Sequence, residues 1–104
     1  MSGALLDEHL QRELSVVIPA YNEENGIGPT LRELVAALPF VEVIVVNDGS
    51  RDATRDRALE VSGVRVLSHR FNRGYGAALK TGMRASRRAY VAWFDADNEH
   101  RVSD

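Results

Sequence analysis

Cysteine is absent from the 104 residues, which excludes disulfide staples, thiolate catalysis and zinc–thiolate centres and fits a reducing compartment. No apolar run approaches the length of a membrane span, and residues 1–12 lack the apolar core of a signal peptide. The expectation is a cytoplasmic protein, peripheral to the inner face of a membrane at most. Acidic residues are missing between Val61 and Phe94, where Arg65, Arg70, Arg73, Lys80, Arg84, Arg87 and Arg88 supply only positive charge. An anionic ligand, or plain solvent, faces such a segment. With a formal net charge of −2 over the whole chain, no nucleic-acid partner is expected. Repeats, low-complexity stretches and linkers are also missing, so one globular domain remains.

What is present alternates between two patterns. Residues 4–13 have the spacing of a short amphipathic helix with Leu5, Leu6, His9 and Leu10 on one side, and residues 1–13 read as a helical appendage. Leu14–Ile18 is a short apolar run rich in β-branched residues and ended by Pro19, as in a buried parallel strand. Leu31, Leu34, Val35 and Leu38 then recur at helical spacing up to Pro39. A second strand, Val41–Val46, leads through Asn47-Asp48-Gly49-Ser50 into a helix over 51–61, with Ser50 or Asp52 as N-cap. Val64–Leu67 is a third strand, 69–76 a glycine-containing loop, and Ala78, Leu79, Gly82, Met83 and Ser86 the apolar or small side of a further helix. Tyr90–Phe94 is a fourth strand, apolar on both faces and so in want of a neighbour and cover. Strand and helix in alternation predict an α/β fold: an open, mainly parallel sheet with flanking helices. Ligands of such sheets sit beyond the carboxyl ends of the strands.

The chemically unusual residues fall at those ends. Past the fourth strand, Asp95, Asp97 and Glu99 alternate, and an extended backbone puts all three carboxylates on one side. Such a cluster either forms a solvated acidic turn or holds a hard divalent cation, Mg2+ or Mn2+, with positions open to phosphate oxygens. His100 would be its neighbour, whereas His69 reads as a loop residue. Asp48 either accepts hydrogen bonds from the N–H edge of a base or only shapes its turn. On the first reading, truncating Asp48 weakens nucleotide binding by about 1–3 kcal/mol with little loss of stability. Tyr21 offers a flat face or a hydroxyl, or simply packs; Glu23 orients the loop or the base, or sits in solvent. Gly74 and Gly76 precede a helix start suited to phosphate. Arg73 and Lys80 either neutralise a diphosphate or are solvated.

Taken in order, Val17-Ile18-Pro19-Ala20-Tyr21-Asn22-Glu23-Glu24, Val45-Val46-Asn47-Asp48-Gly49-Ser50-Arg51-Asp52, Asn72-Arg73-Gly74-Tyr75-Gly76-Ala77-Ala78 and Asp95-Ala96-Asp97-Asn98-Glu99-His100 resemble the family-two glycosyltransferases, in particular their polyprenyl-phosphate (dolichol-phosphate) mannose or glucose synthase branch. The resemblance spans Leu14 to His100. It implies the Rossmann-like, nucleotide-binding half of a GT-A fold over residues 14–104, a nucleotide-diphosphate sugar donor and a divalent metal. By matching position it implies base and ribose contacts from Pro19, Ala20, Tyr21, Glu23 and Asp48 and metal or diphosphate contacts from Asp95 and Asp97; Ala96 is expected beside them in the donor site, and the carboxylate spacing adds Glu99 to the expected metal ligands. Glu99 stands where close relatives usually carry glutamine, and the Pro-Glu continuation is replaced by Arg101-Val102-Ser103-Asp104. The usual catalytic base and the acceptor-facing part of the sheet have no counterpart in these residues. The implied activity is inverting transfer of a hexose from a UDP- or GDP-sugar to an acceptor such as polyprenyl phosphate. The competing expectation is a non-catalytic nucleotide-binding fragment that self-associates through its sheet edge.

Overall fold

The computed structural model describes residues 6–96. Its elements run α1 (Glu8–Gln11), β1 (Leu14–Ala20), α2 (Ile27–Ala37), β2 (Glu42–Asp48), α3 (Thr54–Leu59), β3 (Val64–His69), α4 (Tyr75–Ala85) and β4 (Tyr90–Trp93). Every strand pair is parallel, and the sheet order is β3-β2-β1-β4. The expected open parallel α/β sheet is therefore the one found. β1 and β2 are interior strands and are buried nearly throughout, which is why they read as continuous apolar runs.

Successive side chains of β1 serve opposite faces. Val16 and Ile18 pack with Val43, Val45, Ile27, Leu31, Leu34 and Ala58 under α2 and α3, while Val17 packs with Ile44, Val46 and Ala78 under α4. Gly82 sets how close α4 lies: a Cβ there would stand 2.3 Å from a Val17 methyl.

The structure departs from the sequence reading at Pro19, at α3 and in α1. Pro19 does not end β1; it lies within the strand, in register with Val46. Glu13 and Val17 present their carbonyls to β4, so residue 19 also faces that side, where β4 has already stopped at Trp93. The missing N–H therefore breaks no ladder bond. The helix expected over 51–61 is shorter, with Ala53 rather than Ser50 or Asp52 at the N-cap. Asp52 still caps, one residue early, by accepting from Thr54 N–H. In α1, Leu10 is 49% exposed and the buried residue is Gln11, whose amide donates to the Leu6 carbonyl and accepts from Phe40 N–H. The short helix is thereby tied to the entry of β2.

At the amino ends of the strands, Glu42 gathers a polar cluster. Its carboxylate accepts from Ser15 Oγ at 2.6 Å, Arg87 N–H at 2.9 Å and Arg65 at 2.8 Å. Burial pushes this carboxyl up, but those donors outweigh it and hold it below the ordinary value. β4 has a neighbour on one side only among the described residues, and Tyr90 and Trp93 stand exposed.

Replacing Gly82 by alanine should destabilise the fold by about 1–3 kcal/mol through overpacking, against alanine's better helix propensity. Adding Val17→Ala should recover part of that loss. Urea denaturation of the single and double variants checks this, and additive losses would contradict it.

Candidate functional site

The chain runs from β1 through β2 to β3 on one side and then returns past β1 to form β4. The order reverses between β1 and β4, the position at which an open α/β sheet leaves a crevice at its carboxyl edge. A cleft of about 500 Å³ occupies that edge. Its walls are Pro19, Ala20, Tyr21 and Glu23 after β1, Asp48 at the tip of β2, Asn72, Gly74, Tyr75 and Ala78 at the start of α4, and Asp95 and Ala96 after β4.

The loops around it are bonded to one another. Asn22 N–H donates to Ser50 Oγ at 2.9 Å, and Arg51 N–H donates to Asn22 Oδ1 at 2.9 Å. Glu23 N–H meets Thr54 Oγ1 at 2.8 Å, Glu24 N–H meets Asp52 Oδ2, and Ala53 N–H meets Glu24 Oε1 at 2.9 Å. Asn22 adopts a left-handed backbone with φ 52° to make this turn, a conformation that asparagine tolerates well. The Asn-Glu-Glu and Ser-Arg-Asp-Ala-Thr stretches thus hold two loops together. Gly49, at φ 73°, lies under the loop that follows β3; a Cβ there would fall 2.2 Å from the Phe71 carbonyl carbon.

Asp48 is the centre of the cleft floor. Its side chain is 4% exposed and accepts four bonds. Oδ1 takes His69 Nδ1 at 2.7 Å and Arg73 N–H at 2.9 Å; Oδ2 takes Gly74 N–H at 2.9 Å and Asn72 Nδ2 at 3.1 Å. Burial raises the carboxyl, yet the bonds from His69, Arg73 and Gly74 prevail and hold it below the ordinary range. The expectation that Asp48 can be truncated with little loss of stability is therefore overturned, because its removal would orphan several buried donors. His69 is likewise no loop residue: it closes β3 and its ring is 6% exposed.

Of the other candidates, Tyr21 is a 43% exposed wall of the cleft and Ala96 a buried one. Asp95 is exposed at the rim and accepts from Tyr75 Oη at 3.1 Å. Burial and then the Asp95 carboxylate hold the Tyr75 hydroxyl above the ordinary tyrosine value, so it remains a donor. Arg73 lends Asp48 only its backbone, and the Arg73 and Lys80 side chains are exposed and do not line the cleft. Asp97, Glu99 and His100 lie outside the described residues, and among the described residues no group of three acids or histidines forms. Asn72, Tyr75 and Ala78 had not been singled out as contact residues, although they belong to the Asn72–Ala78 motif that pointed to the site.

Because Glu42, Asp48 and Asp52 are all held below their ordinary values, the unfolded chain binds more protons in acid. Stability present above about pH 4 should therefore fall as pH drops through the carboxylate range. Asp48→Asn should lose about 1–3 kcal/mol at pH 7, and its deficit against the wild type should shrink in acid. Equal deficits at pH 7 and pH 3.5 in urea denaturation, about half a unit below the ordinary range, would contradict this.

Comparison with known proteins agrees with this geometry. The profile described as glycosyl transferase family 2 matches residues 15–104. A dolichyl-phosphate beta-glucosyltransferase of Drosophila melanogaster is 40% identical over 114 aligned residues, covering 95% of this chain and 35% of that protein. An uncharacterized protein of Methanocaldococcus jannaschii is 39% identical over 102 residues, covering 95% of this chain and 41% of its own length. Among solved structures, glucosyl-3-phosphoglycerate synthase of Mycobacterium tuberculosis, in complex with Mn2+, UDP-glucose and phosphoglyceric acid, superposes with a TM-score of 0.74 at 33% identity. That match covers 86% of this chain and 35% of that one. The chain spans only about a third to two-fifths of the length of these relatives. The profile covers nearly the whole chain, which belongs to glycosyl transferase family 2.

Proposed function

We propose that these residues form the donor-binding half of a sugar transferase that takes a nucleoside diphosphate hexose with a divalent cation. The observation that carries the reading is the cleft at the switch point, which Tyr21 and the exposed carboxylate of Asp95 both line. Tyr21 presents an aromatic face to the base, and the backbone of Pro19 and Ala20 forms the wall beside it. Asp48 organises the loop at residues 72–74 against which the base rests. Glu23 lines the same wall.

The donor set suits a hard cation, since Asp95 offers carboxylate oxygen at the cleft rim and the sequence adds Asp97 and Glu99. Asp95 and Asp97, with Glu99, would hold Mg2+ or Mn2+. Such an ion neutralises charge developing on a leaving diphosphate. The Tyr75 hydroxyl donates to Oδ1 of Asp95. Similarity to the dolichyl-phosphate enzyme supports a polyprenyl phosphate as acceptor; inversion at the sugar and a seat at the surface of a membrane are part of the same proposal. No helix among the described residues is long and apolar enough to cross one. A phosphate acceptor is already anionic; a hydroxyl acceptor would require a base.

Nucleotide and metal should bind together. Calorimetric titration of UDP and GDP, with and without Mn2+, should show metal-dependent affinity that Asp97→Ala abolishes. Affinity without metal, unchanged in the variant, would remove Asp97 from the site. Sugar transfer by this chain that Asp97→Ala abolishes would exclude the non-catalytic reading.

With Tyr90 and Trp93 exposed on a strand that has one neighbour among the described residues, and Phe94 exposed just after it, the chain should also dimerise with rising concentration. Sedimentation that shows a monomer throughout would contradict this, and Tyr90→Lys should weaken the association.

A further inference from the structure

The cleft floor contains one buried group that the proposed function leaves unused. His69 lies behind Asp48 and outside the cleft lining, with Nδ1 on Asp48 Oδ1 and Nε2 2.8 Å from Thr81 Oγ1 of α4. The other three donors to Asp48, from Asn72, Arg73 and Gly74, all come from the loop before α4. His69 alone holds the carboxylate from a strand. Since Asp48 is an ionised acceptor, the shared hydrogen belongs to Nδ1, and Nε2 faces the Thr81 hydroxyl.

We propose that His69 is a positioning residue for nucleotide recognition: it sets the plane of the Asp48 carboxylate and, through Thr81, fixes that plane to α4. The inference rests on the donor-binding reading above. Both groups that Asp48 receives from Asn72 and Gly74 belong to residues lining the cleft, so a turn of the carboxylate moves the surface that meets the base. A donor at the Nδ1 position is required for this; bulk alone is not enough.

The two amide replacements separate those requirements. In His69→Asn the amide nitrogen stands near the place of Nδ1 and can still donate to Asp48. In His69→Gln it reaches toward Thr81 and leaves Asp48 Oδ1 short of a donor. The probe is UDP with Mg2+, titrated into the 104-residue chain by calorimetry, with the melting temperature of each variant recorded. UDP affinity should fall by about tenfold or more in His69→Gln and stay within about threefold of wild type in His69→Asn, the gap expected for one bond to a charged acceptor. Wild-type affinity in His69→Gln would overturn the inference, as would equal losses in both variants that track their melting temperatures. If His69→Gln does not fold, Thr81→Val carries the comparison: weakened UDP binding at unchanged far-ultraviolet circular dichroism supports the inference, and unchanged binding overturns it. Failure of the wild type to bind UDP would instead strike the donor-binding reading, and this inference with it.

Discussion

A carboxylate taken out of water at the tip of a central strand must be surrounded by donors, and the carboxyl edge of this sheet is arranged to surround Asp48. Four donors from β3 and the loop after it converge on its two oxygens. Once that loop is held, Gly74 stands at the N-cap of α4, and Tyr75 is placed to reach Asp95 across the cleft. Gly49 must then lack a side chain, because the same loop crosses directly above it. One buried charge thereby fixes parts of three strand ends relative to one another.

The opposite edge of the sheet solves a similar problem with a different outcome. Glu42 is also buried, and Ser15, Arg65 and Arg87 satisfy it, joining three strands to the segment after α4. Its donors include a guanidinium and it borders no described cleft, so the cluster acts as an anchor. At the carboxyl edge two of the four donors are backbone N–H groups, and the cleft lies beside them. The difference between an anchor and a site lies in what surrounds the carboxylate.

The parallel sheet was legible in the sequence because Val16–Ile18 and Val43–Val46 are apolar on both faces, as strands covered by helices on each side must be. The end of β1 was not, since whether Pro19 breaks a ladder depends on how far β4 extends, which local sequence does not record. Asp48 and Asp95 were legible as site residues from their position after apolar runs. The role of His69 was hidden because its partners are 21 and 12 residues away, and no local pattern marks a histidine that bridges them. α1 misled for a related reason: Leu10 fits an amphipathic spacing, but four residues of helix are oriented by the amide of Gln11, which has a carbonyl and an N–H to satisfy. Arg73 and Lys80 were chosen for charge, yet charge does not tell which side of a helix start faces the cleft.

The central claim is that one crevice at the carboxyl edge receives a nucleoside diphosphate with its cation. The most direct measurement is a map of amide chemical-shift changes in the 15N-labelled chain on addition of UDP and Mg2+. The account predicts changes concentrated at residues 20–23, 48–50, 72–76 and 95–97, with Glu42, Arg65 and Arg87 at the other edge unaffected. Changes centred on that other edge, or none at saturating nucleotide, would contradict it.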